Sequence, residues 1–443
     1  MSRSVALGLL LVLALVLEAC GDGASSAPTP TTGDTRALGL TPAPPTTPGS
    51  RDPSHITAPD GAVQFVRGTL IEQDPAFEDP TTLSFGPDGR LYVGQLNGRI
   101  VALTLAGQSV TDMEEIASPE VFDAVLGLAF DPTDSPEPVT LYVSHTSLFA
   151  GESGSPFAGT ISRLAAPAFE RSDLISGLPV STVEHGTNGI AFDSEGILYI
   201  AQGGTTNAGV PSERHPRPAT PLSGAILVAD LSDPAFDGMV LYEPPDVAGE
   251  TVDQVAGDVR VYASGFRNPY DLVIHSNGRL YATDNGPNAP DGAESLSCTD
   301  EGPGPSAPDE LNLIIQGRYY GHPNRNRGRS DERQCSYHPA SDASGDTTPP
   351  LATLGYHTSA NGMAEYGSDA FGGRLRGNLV YVEWATGGIW RVVLSGDGTG
   401  VASISQLVPD ILERPLDVAV GPDGTVYVAE MGADRIIYFT PAN

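Results

Sequence analysis

The chain has 443 residues, with 23 basic against 55 acidic side chains and a formal net charge of -32. A surface this negative repels nucleic-acid phosphates and anionic headgroups, and no basic cluster offsets it, so no nucleic-acid partner is expected. Lysine is absent, which excludes a phosphate-loop lysine, a Schiff base and a lysine general base.

The first segment is an address. Arg3 precedes an apolar run from Val5 to Leu17, which ends in Leu17-Glu18-Ala19-Cys20-Gly21. Residues 1–19 resemble a bacterial lipoprotein signal peptide, with Cys20 as the lipidated residue and an exported, lipid-anchored chain as the consequence. An ordinary secretory signal is the alternative; about 13 apolar residues fall short of the roughly 20 that span a bilayer. Residues 20–60 are rich in Pro, Thr, Ser and Gly with little to bury, the composition of a disordered tether. With Cys20 taken by lipid, Cys298 and Cys335 remain as an even pair in an oxidising compartment, and they bracket a Gly/Pro-rich loop. A disulfide between them is expected, with two unpaired buried thiols as the alternative.

From residue 61 onward one unit repeats. Leu83–Val93, Ile190–Ile200, Leu272–Ala282 and Val418–Val428 each read as an alternating strand, a turn at Asp-Gly, Glu-Gly or Asn-Gly, and a second alternating strand. That is the signature of a tight hairpin. Leu128–Pro132 with Leu141–Val143 forms a fifth copy with a longer turn, and Gly377–Val382 supplies the second strand of a sixth. Six units over residues 61–443 allow about 64 residues each, enough for four strands and a long loop. With 52 Gly and 39 Pro marking turns, the expected fold is all-β, a six-bladed β-propeller. Val63–Leu70 has no partner of its own and is expected to close the ring on the last blade.

Three loops break the repeat: Glu184-His185-Gly186-Thr187-Asn188-Gly189, Gly265-Phe266-Arg267-Asn268-Pro269-Tyr270-Asp271, and Asp284-Asn285-Gly286-Pro287-Asn288, the last continuing into Pro308–Ile314 and Tyr320–Asn324. As an ordered set, they resemble the glucose/sorbosone dehydrogenases, six-bladed quinoproteins that use pyrroloquinoline quinone (PQQ) with calcium. The resemblance covers roughly residues 80–440. It implies that His185 takes the proton of a sugar hydroxyl while hydride passes to the quinone, a task suited to imidazole, with Glu184 orienting the ring. It implies that Arg267, Asn268 and Arg414 contact the cofactor. Gly286 and Pro287 would hold the cofactor's calcium through carbonyls, and Glu310 with Tyr320 a structural calcium.

The chain also departs from that pattern. Leu416 stands in place of a second late arginine, a residue near Ala385 in place of a lysine, Phe122-Asp123-Ala124 in place of a glutamine, and Gly204 in place of an aspartate. Two alternatives therefore stand beside sugar oxidation with an external electron acceptor: a non-catalytic propeller that binds a carbohydrate or protein, and a calcium-dependent lactonase. Each site residue also has a plain structural reading, His185 as a packed histidine and Arg267 as a loop tie. The sequence contains no GxSxG, HExxH, EF-hand or GxGxxG motif, so serine hydrolase, zincin and nicotinamide readings have no support. Oligomeric state is not legible at this level.

Overall fold

The computed structural model describes residues 55–442, apart from 60, 62, 73, 76, 149–154, 183, 244–251, 328–330 and 341–346. The signal peptide, Cys20 and most of the tether lie outside the described residues. Six antiparallel sheets make six blades. Blade 1 comprises Pro80–Phe85, Leu91–Gln95, Ile100–Ala106 and Ser109–Ala117, and blade 2 Ala124–Ala129, Thr140–Thr146, Gly159–Ala165 and Glu170–Leu178. Blade 3 comprises Thr187–Phe192, Ile197–Gln202, Ala225–Asp230 and Arg260–Ser264; blade 4 comprises Pro269–Ile274, Leu280–Asp284, Pro308–Ile314 and Ala352–Tyr356. Blade 5 comprises Ala360–Tyr366, Asn378–Glu383, Gly388–Leu394 and Val401–Val408, and blade 6 Pro415–Val420, Val426–Glu430 and Arg435–Pro441. The first strand of each blade contacts the first strands of both neighbours, so these inner strands form a closed ring.

The hairpins form where the sequence places them because their turns are locally determined. Gly89, Gly196, Gly278 and Gly424 hold φ of 78°, 81°, 78° and 84°, left-handed values that favour glycine. In all four, the residue opening the turn donates its backbone N–H back across it, as in Gly86 N to Arg90 O at 2.9 Å and His275 N to Arg279 O at 2.9 Å.

Closure is made by the N-terminal strand Gln64–Glu72, which pairs antiparallel with Arg435–Pro441 as the fourth strand of blade 6. Phe65 is fully buried there, edge-on to Phe371 and Phe439 at 5.1 and 6.4 Å. His55–Thr57 adds outside it, so ordered structure begins before residue 60, where the tether was expected to end; Ala58 and Val63 bury against the last blade. The apolar core is divided into six clusters, each bridging two adjacent blades, from Tyr92 against Val125 around to Leu83 against Tyr427. Burial between blades, rather than within one, makes the ring cooperative.

Two aspartates on the inner strands tie neighbouring blades of that ring together. Asp271 of blade 4 accepts from Leu272 N and from Met363 N of blade 5, both at 2.8 Å. Asp417 of blade 6 accepts from Val418 N and from Leu83 N of blade 1, both at 2.7 Å. Glycine on the preceding blade makes room, because a Cβ at Gly189 would fall 2.3 Å from Asp271 Oδ1 and one at Gly362 2.1 Å from Asp417 Oδ1. Both aspartates line the central channel. Among the described residues no helix is long and apolar enough to cross a membrane.

Candidate active site

The loops leading into the inner strands of blades 3 and 4 carry His185, Arg267 and Asn268. All three are buried, at 1%, 3% and 5% exposure. Asp284, at the end of the second strand of blade 4, accepts from the backbone N–H of Arg267 at 3.1 Å and of Asn268 at 2.7 Å. One carboxylate thus fixes the consecutive pair. Asn268 is held further by Asn188, which donates to its Oδ1 at 2.9 Å, and by its own bond to Asn285 Oδ1 at 3.2 Å. Arg267 Nε donates to Asn207 Oδ1 at 3.0 Å and Nη1 to the Asn285 carbonyl at 3.3 Å, while Nη2 is buried without a partner. An orphaned guanidinium nitrogen in so crowded a place is costly, and its position suits a donor aimed at a bound anionic or carbonyl oxygen.

His185 is oriented by backbone. Its Nδ1 lies 2.8 Å from the Gly204 carbonyl, which can only accept, so Nδ1 carries the proton and Nε2 presents a lone pair. The main chain of Gly204 thus holds the ring. Burial, followed by the charges of Arg267 and His215, keeps His185 well below the usual histidine range. A neutral Nε2 at neutral pH is what a general base requires.

Glu184 differs from the expected orienting role. It lies on the Nε2 side, with Oε1 3.9 Å from His185 Nε2 and 3.4 Å from His215 Nε2, and Oε2 2.5 Å from Arg214 Nη2. Burial works against its charge, but His215, His185 and Arg214 hold it below the ordinary carboxylate range. His215 stacks on His185 with ring centroids 5.0 Å apart and bonds through Nδ1 to Asp291 Oδ2 at 2.7 Å. Burial opposes a charge on His215, whereas Asp291 and Glu184 favour it, with a net upward shift.

His215 and Asp291 come from the long connections 203–224 and 285–307, which join the second and third strands of blades 3 and 4. Sequence reasoning assigned neither residue. The connections meet where Asn207 Nδ2 donates to the carbonyls of Asn288 and Asp291 at 3.0 and 2.6 Å. Cys298 and Cys335 are disulfide-bonded with Cα atoms 4.6 Å apart, tying the 285–307 connection to the one between the third and fourth strands of blade 4.

The expected calcium residues gather in a neighbouring cleft. Gly286, Pro287, Glu310 and Tyr320 line it with Arg267, Asp284 and His322. Burial pushes Glu310 up to about 8, with Asp284 and then Asp309 adding repulsion, and burial pushes Asp284 up to about 7. Acids crowded this way are suited to a hard cation. Tyr320 Oη donates to the Leu313 carbonyl at 2.5 Å and accepts from Ile315 N at 3.0 Å, so its backbone carbonyl is the ligand atom left to offer. Gly286 N bonds Asp309 Oδ1 at 2.9 Å, which fixes the turn.

Arg414 is exposed before the inner strand of blade 6, with φ of 54° and its guanidinium 5.9 Å from the Trp384 ring centroid. Leu416 is buried, Ala385 exposed, and Phe122 packs in the core against His145 at 4.7 Å. Neither Leu416 nor Ala385 can supply a cofactor cation, and the Phe122 ring offers no amide.

Comparison with known proteins places the fold among sugar dehydrogenases. The quinoprotein glucose dehydrogenase B of Acinetobacter calcoaceticus is 24% identical over 315 residues, which span 63% of this chain and 57% of that protein. The PQQ-bound aldose sugar dehydrogenase of Streptomyces coelicolor aligns with TM-score 0.57 and 19% identity over 85% of this chain and 98% of its own. The apo soluble aldose sugar dehydrogenase of Escherichia coli gives 0.59 and 17% over 85% and 100%. The sequence profile of the Glucose / Sorbosone dehydrogenase family matches residues 77–438, nearly the whole propeller, and the chain belongs to that family.

Proposed function

We propose that this protein oxidises an aldose or related sugar with PQQ and calcium. The observation that carries the reading is the pairing of His185, whose Nε2 lone pair is left available by the Gly204 bond, with Arg267, whose Nη2 is buried and unpartnered. The donor set fits the quinone end of the cofactor: Arg267 and Asn268 would contact its oxygens, with Arg414 at the rim, and the carbonyls of Gly286 and Pro287 would face its calcium. Glu310 and the Tyr320 carbonyl would hold a second, structural calcium. When bound, PQQ supplies the two-electron acceptor for the hydride of the sugar carbon.

The chain's own residues do the rest. His185 Nε2 accepts the hydroxyl proton, and the resulting imidazolium keeps its Nδ1–H on Gly204. Glu184, 3.9 Å away, stabilises that charge as it forms. Arg267, fixed by Asn207 and Asp284, offers a preorganised positive charge that needs no rearrangement during reaction. In this reading the protein is exported, held to the bacterial membrane by lipid at Cys20, and passes electrons to an external acceptor.

Calorimetric titration of PQQ into the calcium-loaded protein, with sugar-dependent dye reduction beside it, tests the proposal. His185→Ala keeps PQQ binding and loses turnover, whereas Arg267→Ala weakens binding. Absence of PQQ binding in the unaltered chain overturns it. That result would select the non-catalytic propeller favoured by Leu416 and Ala385, or a lactonase if lactone hydrolysis sensitive to chelator is found instead.

A further inference from the structure

We propose that Glu184, His185 and His215 form a binding site for a borderline-soft divalent ion such as zinc, separate from the calcium cleft. One ligand atom from each residue lies within 4.8 Å of the other two, with the Glu184 and His215 atoms 3.4 Å apart and those of Glu184 and His185 3.9 Å apart. Ligands bound at about 2.0–2.2 Å in a tetrahedral site stand roughly 3.3–3.5 Å apart, so small side-chain movements bring all three onto one ion.

The outer contacts are those a metal-binding histidine needs. His185 Nδ1 is tied to the Gly204 carbonyl at 2.8 Å and His215 Nδ1 to the Asp291 carboxylate at 2.7 Å. Each bond leaves Nε2 to point inward, the carboxylate–histidine arrangement that orients ligands and raises their basicity. A second observation supports it: His215 Nε2 is buried, at 0% side-chain exposure, and makes no well-formed hydrogen bond, its near polar neighbour being Glu184 Oε1 at 3.4 Å. An ion would satisfy it, in place of the proton that Asp291 and Glu184 otherwise draw onto the ring. The carboxylates of Glu184 and Asp291 offset the cations Arg214 and Arg267, which both act on this cluster. Two imidazoles and one carboxylate suit zinc or cobalt, whereas calcium takes all-oxygen sites.

The ion would occupy the lone pair of His185 that proton removal requires, so the site is inhibitory. That consequence rests on the proposed sugar oxidation; the binding itself does not, and the test separates them. Cobalt(II) is titrated into the full chain in excess calcium, followed by visible absorption, and zinc is then added as competitor. The expected result is one equivalent of low-coordinate cobalt absorption, displaced by zinc, lost in His215→Ala, and weakened 10–100-fold in Asp291→Asn, where the ligands stay but their support is removed. Absence of the spectrum in the unaltered chain, or its persistence in His215→Ala and in His215→Gln, overturns the proposal. Circular dichroism on each variant identifies misfolding, and Asp291→Asn, which retains shape, keeps the test decisive: unchanged cobalt affinity there counts against the site. In a chain that does oxidise sugar, zinc lowers turnover in parallel with cobalt displacement.

Discussion

The two channel aspartates should make stability depend on pH in a direction opposite to that of paired surface carboxylates. Burial pushes Asp271 up to about 7, its bonds to Met363 and Leu272 pulling the other way. Burial raises Asp417 well above the usual range, and the charge of Asp271 adds to it. An unfolded aspartate titrates near 3.9. Between about pH 4 and pH 7 the folded chain therefore holds protons that the unfolded chain has released, and stability falls as pH rises through that window. The contribution is fully present below about pH 4 and gone above about pH 7. Each excess proton gives a slope of about 1.4 kcal/mol per pH unit, and because Asp271 adds to the shift of Asp417 the uptake belongs to the pair.

The perturbation is Asp271→Asn. A carboxamide oxygen can accept from Leu272 N or Met363 N but not both, which costs about 1–3 kcal/mol at every pH. That loss shifts the whole curve downward; removal of the titrating group changes its slope. Guanidinium unfolding at half-unit steps from pH 4 to 8, in chelator so that calcium does not enter, measures both. The buried acids Asp284, Glu310 and Glu383 titrate in both chains and cancel in the difference. The variant should be flatter by up to 1.4 kcal/mol per pH unit between pH 4.5 and 6.5. Parallel curves would refute the argument, since they would mean that Asp271 is charged throughout.

Three further outcomes follow from named contacts. Replacing Cys298 and Cys335 together by serine opens a loop with a sequence separation of 37; loop-closure entropy puts the loss at about 4 kcal/mol, and an unchanged denaturant midpoint would show that the insertion is held by packing alone. Gly204→Asp restores the acid of the family pattern but sets a Cβ 2.6 Å from the Arg267 carbonyl, so it should cost about 1–3 kcal/mol and weaken PQQ binding; a gain in affinity would contradict the backbone-orientation account. Glu310→Gln should remove most of the calcium-dependent gain in stability, which amounts to about 2.7 kcal/mol at a hundredfold excess of calcium over its Kd; an unaltered gain would move the ion elsewhere.

The propeller was legible in the sequence because its hairpins are local. Period-two alternation and a turn glycine lie within a dozen residues of one another, so Leu83–Val93 and its copies identify themselves without tertiary information. Where the turn is not tight the signal fades: the inner strand of blade 5, Ala360–Tyr366, carries Asn361-Gly362 inside it and reaches its partner through a 3₁₀ turn at Ala370–Gly373, and only the second strand of that pair stood out. His185, Arg267 and Asn268 stood out because they abut the repeat, and the structure buries all three.

His215 and Asp291 did not, because their bond joins residues 76 apart in connections with no periodicity of their own. Gly204 shows a deeper limit. In the sequence it reads only as a departure from the pattern, yet a carbonyl belongs to every residue, and residue identity cannot report which carbonyl a fold will aim. The scaffold is encoded where the repeat is regular and the chemistry where it is interrupted. In a chain of this kind the long connections between second and third strands are therefore the first place to look for groups that complete a site.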